Sequence, residues 1–239
     1  MRCTLSGKFI IKNYRDQCNK CALEKNRKPR KHKIVDLFEQ IDSQDKAYIF
    51  GFIWADGCLQ DRVPTASSLQ LCIHKQDELI IDSIINVIGG SKCDRSYTDK
   101  NGKRILRITW QLNSNELCNN FKKLEFRKST QHVPKQYFSH FVRGLVDGDG
   151  CFAIRNKDGQ YKLDSIFITS GYDQDWSFLS NVPFKNYVRQ IKKKNGNISL
   201  YHINGCDKIK FLQWIYDDAN LYLERKYKKI HSFINGRDQ

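Results

Sequence analysis

Two acidic tripeptides set the chemistry to look for. Asp56-Gly57-Cys58 recurs 93 residues later as Asp149-Gly150-Cys151. Each follows an apolar run with a glycine in its middle: residues 48–59 align with 141–152, and Gly51 falls on Gly144. A single Asp-Gly reads as no more than a helix stop, but two copies in matched phase read as a designed pair of carboxylates. A glycine inside a helix costs about 1 kcal/mol relative to alanine, so its presence in both runs implies two helices packed glycine to glycine. Their C-terminal ends then converge and bring Asp56 and Asp149 together at the unfavourable ends of both helix dipoles. Such a pair needs cations. Hard oxygens, few protein ligands and a shell left to water and phosphate suit Mg²⁺ or Mn²⁺.

A second set of groups could hold metal. Cys18 and Cys21 have the C-x2-C spacing of a zinc knuckle, and Cys3 lies upstream, but Ser6 stands where the partner of Cys3 belongs. That leaves His32 or Asp16 as an improvised fourth ligand to a structural Zn²⁺, with a metal-free arm as the other reading. The nine cysteines are odd in number, and the remaining six are scattered singly. This suits reduced thiols in a soluble intracellular protein rather than a disulfide framework.

Composition bounds the partner. The 239 residues carry 41 Lys+Arg against 26 Asp+Glu, a net charge of +15, and 40% are hydrophobic. There is ample material for one large domain or two small ones, and the composition is neither collagen-like nor that of a disordered chain. The charge calls for a polyanion: nucleic acid first, an anionic membrane surface second. No apolar run approaches the roughly 18–20 residues that span a bilayer, no basic amphipathic helix presents an apolar face to lipid, and the N-terminus lacks the pattern of a secretory leader. More than half of the excess charge sits in residues 1–33, where the net is +9. There residues 25–33, with Lys28, Arg30 and Lys31, read as an extended basic linker, either a phosphate-contacting arm or a solvated tail.

The elements that must position the two carboxylates follow from the repeat, a unit of about 93–98 residues by its own drift in offset. Asn113 falls on Asn204 and Lys128 on Lys226. Each unit reads helix, hairpin, helix, hairpin, helix. Ser43 or Asp45 can cap the first helix and Ser139 its counterpart, and Gly57 and Gly150 end them. Alternation predicts strands over 69–73, 165–169, 104–112 and 198–203, with helices over 78–87 and 174–181 between them. Asn-Gly turns at 100–103 and 194–197 close matching hairpins. The expected division is a basic arm over 1–42 and two halves over 43–134 and 135–239.

Both apolar segments resemble the motif of the LAGLIDADG homing endonucleases, in the single-chain, two-motif arrangement, and the likeness extends over residues 46–230. The resemblance implies an α+β fold of two αββαββα halves about a pseudo-twofold axis, with two four-stranded sheets forming a DNA saddle. It implies a site-specific double-strand DNA endonuclease of the kind that propagates introns or inteins, working as a monomer. On the same scaffold the alternatives are an RNA-binding intron maturase and an inactive DNA-binding regulator. It further implies that Asp56 and Asp149 bind divalent metal and activate water, with the carbonyls of Ala55 and Gly148 completing the inner shells. Lys128 and Lys226 match the basic groups that assist near each metal. Two departures from the pattern stand out: Trp54 replaces an earlier acid that the second motif keeps as Asp147, and Lys75 falls at a water-organising position matched by Gly171. The strand faces would read bases, with Arg95, Arg104, Arg107, Arg155, Lys162 and Arg189 as candidates, though any one of them is more often a solvated strand residue than a base contact.

Overall fold

Ser43 starts helix α1 (Gln44–Asp56) by accepting the amide of Lys46 on its hydroxyl at 3.3 Å, and the Gly57 N–H closes the helix onto the Ile53 carbonyl. In this computed structural model residues 38–62, 66–157, 159–193 and 196–235 are described. Lys28, Arg30, Lys31, Cys3, Cys18, Cys21 and His32 lie outside the described residues. From α1 the chain runs through β1 (Gly57–Arg62), β2 (Ala66–His74), α2 (Glu78–Ile88), β3 (Ser91–Thr98), β4 (Arg104–Asn113) and α3 (Asn115–Lys123). The second half repeats the order with α4 (Phe138–Asp149), β5 (Gly150–Lys157), β6 (Gln160–Ser170), β7 (Asn186–Lys193), β8 (Gly196–Ile203), α5 (Lys208–Tyr216) and a further helix, α6 (Glu224–Ile234).

The strands form two antiparallel sheets of identical topology, β1-β2-β4-β3 and β5-β6-β8-β7. Gly57 pairs with Leu71 and Gly150 with Ile168, so each sheet begins directly at the end of its long helix. The fold is therefore the α+β duplication that the sequence predicts.

Three local expectations change. The segment 174–181 holds only a 3-10 turn at Ser177–Leu179, not a helix. There the ring of Trp176 lies 5.8 Å from that of Phe178 and 5.6 Å from that of Tyr201, so its anchoring is aromatic rather than helical. Helix α4 is entered through a 3-10 turn (Lys135–Tyr137), which places Ser139 inside the helix and leaves Tyr137 at the cap without a side-chain bond. The core also begins before residue 43: Phe38 and Ile41 are buried, and the Phe38 ring lies 4.8 Å from that of Phe121. At the first Asn-Gly turn Gly102 takes a φ of 79°, and Asp99 accepts the amides of Asn101 and Lys103. Lys194 and Asn195 of the second turn lie outside the described residues.

The core is continuous through both halves. α1 is buried at every residue from Lys46 to Trp54, and α4 from Phe141 to Asp147, as befits helices apolar on nearly every face. Leu69, Leu71, Ile73, Ile108 and Trp110 of the first sheet, and Ile166, Ile168, Tyr201 and Ile203 of the second, join the same cluster. The alternate strand residues face outward.

Candidate active site at the paired helix ends

Gly51 and Gly144 lie where α1 and α4 cross. A Cβ on Gly51 would overlap the carbonyl oxygen of Phe141, and one on Gly144 would overlap that of Tyr48. Only hydrogen side chains permit this approach, and it carries down to the helix ends. There a Cβ on Gly148 would strike the Ala55 methyl and stand 3.3 Å from Oδ2 of Asp56. The last residues of the two helices, Asp56 and Asp149, thus sit side by side and open to solvent.

Neither carboxylate makes a hydrogen bond or ion pair among the described residues. Desolvation first, and the neighbouring Asp56 second, push Asp149 up to about 6; desolvation raises Asp56 as well. Cations oppose both shifts: Lys226 and Arg127 at each carboxylate, with Arg225 and Arg107 also acting on Asp56.

Two of these cations are fixed by the same device. Nζ of Lys226, buried with 7% of its surface exposed, donates to the carbonyls of Val146, Gly148 and Gly150 at 2.8, 3.2 and 2.6 Å. The guanidinium of Arg127 donates to those of Trp54, Ala55 and Gly57 at 2.7, 2.8 and 2.8 Å. Each thereby satisfies the orphan acceptors of one helix C-terminus and sets a positive charge against its dipole. Burial drives the Lys226 ammonium down to about 8. The basic side chain bonded to the first helix end is therefore Arg127 rather than Lys128. A tight turn with positive φ at Glu125 (52°) and Arg127 (60°) rotates the arginine, rather than its neighbour, toward the helix. The carbonyls of Ala55 and Gly148 both carry a donor already, and a carbonyl oxygen keeps a second lone pair.

Lys75 is held in ion pairs of its own sheet and helix. It follows the end of β2, and its ammonium pairs with Asp94 and Glu78 at 2.7 and 2.8 Å. The sheet registers also match Lys75 to Tyr172, and His74 to Gly171. The cleft of about 220 Å³ beside Asp149 is lined by Gly171 together with the polar side chains of Thr169, Ser170, Tyr172, Gln174 and Arg127. A larger cleft of about 340 Å³, walled by Leu79, Ile80 and residues 220–225, contains neither carboxylate.

Trp54 and Asp147 occupy matched places two residues before the terminal acids. Trp54 packs in a ring cage with Phe50, Phe126, Phe141 and Phe178. Asp147, with 1% of its surface exposed, accepts from Tyr48 Oη, Tyr216 Oη and the Leu223 amide at 2.9, 2.7 and 2.7 Å. It ties α1, α5 and the segment before α6 together, and sequence pattern gives no hint of those distant partners.

Among the basic strand residues, Arg95, Arg107, Arg155, Lys162 and Arg189 share outward phase with Cys72, Thr109 and Phe167. Arg104 does not. It pairs with Thr98 in the phase of Ile108 and Trp110, and donates to Ser96 on that same helix-side face.

Two hard carboxylates with no third carboxylate, thiolate or imidazole clustered beside them among the described residues fit a divalent cation that takes water and phosphate oxygens. They do not fit a closed zinc site.

No protein-family model matches the sequence, nor does any curated protein. Solved structures do. The homing endonuclease I-WcaI bound to its DNA recognition sequence aligns over 82% of this chain and 87% of its own, with a TM-score of 0.55 at 14% identity. The LAGLIDADG meganuclease I-AabMI bound to uncleaved DNA aligns over 79% and 88%, with a TM-score of 0.50 at 16% identity. I-DmoI in complex with DNA and calcium aligns over 83% and 99%, with a TM-score of 0.50 at 16% identity. With two glycine-packed helices ending in acids over two sheets of one topology, the chain has the fold of the LAGLIDADG homing endonucleases.

Proposed function

We propose that this protein is a metal-dependent, site-specific endonuclease that hydrolyses one phosphodiester in each strand of duplex DNA. The observation that carries this reading is the pair Asp56 and Asp149: adjacent, partly desolvated, without hydrogen-bond partners among the described residues, and placed at the junction of two equivalent sheets. Solved structures of this fold hold DNA, and that of I-DmoI holds calcium with it.

Asp56 and Asp149 would hold Mg²⁺ or Mn²⁺, which supplies Lewis-acid polarisation of the phosphate and lowers the pKa of bound water. The chain's own residues do the rest. The glycine crossing fixes the separation of the carboxylates. Arg127 and Lys226 hold the helix ends rigid and place positive charge where the phosphorane develops negative charge. Thr169, Ser170 and Gln174 offer hydroxyl and amide groups to order water in the second half. In the first half Cys72 and Ile73 stand where Thr169 and Ser170 stand, so the two sites are chemically unequal. Halves 43–134 and 135–239 each serve one strand, and one chain suffices because it carries both carboxylates. The six cysteines among the described residues are free thiols, which suits a reducing compartment.

Selection from a randomised duplex library, with Mg²⁺ against Ca²⁺ and scored for cleaved ends, tests the reading. Asp56→Asn and Asp149→Asn should each abolish double-strand cutting yet bind the selected duplex in Ca²⁺. Normal cutting of both strands by Asp149→Asn would overturn the assignment.

A further inference from the structure

The outer faces of the two sheets differ where they lie nearest the carboxylates. One row on each face begins two residues after the terminal acid of the long helix. In the first sheet the row crosses the strands as Cys58, Gln70, Gln111 and Ser91. In the second, the same positions hold Cys151, Phe167, His202 and Tyr187.

The first row is built of amides. Gln70 and Gln60 bond through their side chains at 3.2 and 3.4 Å, and Gln111 donates to Asn113 at 2.6 Å. The second is built of rings. Tyr187 lies 4.8 Å from His202 with an interplanar angle of 3°, and Phe167 lies 5.2 Å from it on the other side. His202 is 7% exposed, and neither ring nitrogen has a hydrogen-bond partner among the described residues. Burial, with Arg189 nearby, lowers its proton affinity, so the imidazole is a neutral ring between two others. The row therefore presents an apolar step, with Tyr187 half-exposed at its edge and Arg189 two residues along β7 on the same outward phase; Lys162 and Arg155, the latter paired with Asp164 at 2.8 Å, lie farther along that face. An apolar step on a face that carries cations matches a polyanion that carries an apolar group inside its groove. In the major groove of DNA that group is the C5 methyl of thymine.

We propose that the row Phe167–His202–Tyr187 determines specificity in the second half-site by apolar contact with a thymine methyl, where the first half-site is read by glutamine amides. The proposal rests on the endonuclease reading above. Glutamine pairs with base edges, adenine above all, through donor and acceptor together; a shut-in histidine between two rings offers neither.

The test uses the full chain and its selected duplex in Ca²⁺. Each thymine is replaced in turn by deoxyuridine, which pairs identically and lacks only the methyl. One thymine in one half-site should lose binding about fourfold, the worth of one buried methyl. The double variant Phe167→Gln with His202→Gln, which copies the first sheet's row, should bind thymine and deoxyuridine equally at that position with an unchanged melting temperature. Should it fail to fold, the exposed Tyr187→Ser carries the same comparison. Silence of every deoxyuridine substitution, or equal binding of an RNA duplex of the same sequence, overturns the methyl contact. If the selected DNA duplex is still cut in Mg²⁺, the endonuclease reading stands without it; if no duplex is selected, both fall.

Discussion

Asp149 is the residue on which pH acts most directly. Its carboxyl is raised to about 6, above its ordinary value of 3.8, so the native state holds its proton more tightly than the unfolded chain does. The stabilisation from that proton is complete below about pH 4 and lost as pH rises through about 6. In metal-free protein Asp149→Asn should therefore melt above the parent at pH 7.5, and the gap should close toward pH 4. Divalent metal must displace the same proton, so Mn²⁺ affinity measured calorimetrically should fall about tenfold per unit below pH 6 and level off above it. A flat profile between pH 5 and 7 would remove Asp149 from the metal site. The pair Arg127 and Lys226 shows why the matching basic group is not found by counting. Arg127-Lys128 and Arg225-Lys226 align dipeptide to dipeptide, and only the left-handed turn before α4 sends the arginine to the carbonyls while Lys226 is sent there by helix α6.

At the scale of elements, the crossing of α1 and α4 is the part that tolerates least change. A side chain at Gly51 or Gly144 meets backbone rather than a movable side chain, so the helices must separate. Gly51→Leu should cost about 3 kcal/mol or more, lowering the melting temperature by on the order of 10 °C for a chain of this size. Cutting should slow with it, because the carboxylates part. An unchanged melting curve would refute the crossing. Asp147 supports the same crossing from the side. Its bonds to Tyr48 and Tyr216 keep that buried carboxylate partnered, and Arg143, fully buried, donates to the carbonyls of Leu221 and Ile215 at 2.8 and 2.9 Å. Arg225 pairs with the nearly buried Asp77 at 2.9 Å, so α6 is tied to the first half as well as to the second.

For the whole molecule the governing quantity is charge. A chain of net +15 with +9 in its first 33 residues should bind duplex DNA with a steep salt dependence. Each phosphate that residues 1–33 neutralise adds about 0.9 to the slope of log K against log salt, and deleting them should make that slope shallower by as much per phosphate. With on the order of three to five phosphates neutralised at a time, a change of about 3–4 is expected in a fluorescence-anisotropy titration. The truncated chain should cut the same phosphates at saturation. An unchanged slope would show that the arm does not touch DNA, and a shifted cut would show that it reads sequence.

The repeat of Asp-Gly-Cys, the mid-helix glycines and the strand alternation were enough to lay out two halves, their topology and the meeting of Asp56 with Asp149. All of these are local patterns whose physics acts within a few residues, and duplication made each one count twice. Tertiary structure decided what depends on a shift of one residue or on a distant partner. It put Arg127 rather than Lys128 at the first helix end, turned Arg104 to the helix side, moved Lys75 into ion pairs with Asp94 and Glu78, and replaced the helix over 174–181 by an aromatic-anchored turn. Strand phase flips with each residue, and a positive φ in one turn redirects a side chain, so neither can be read from spacing alone.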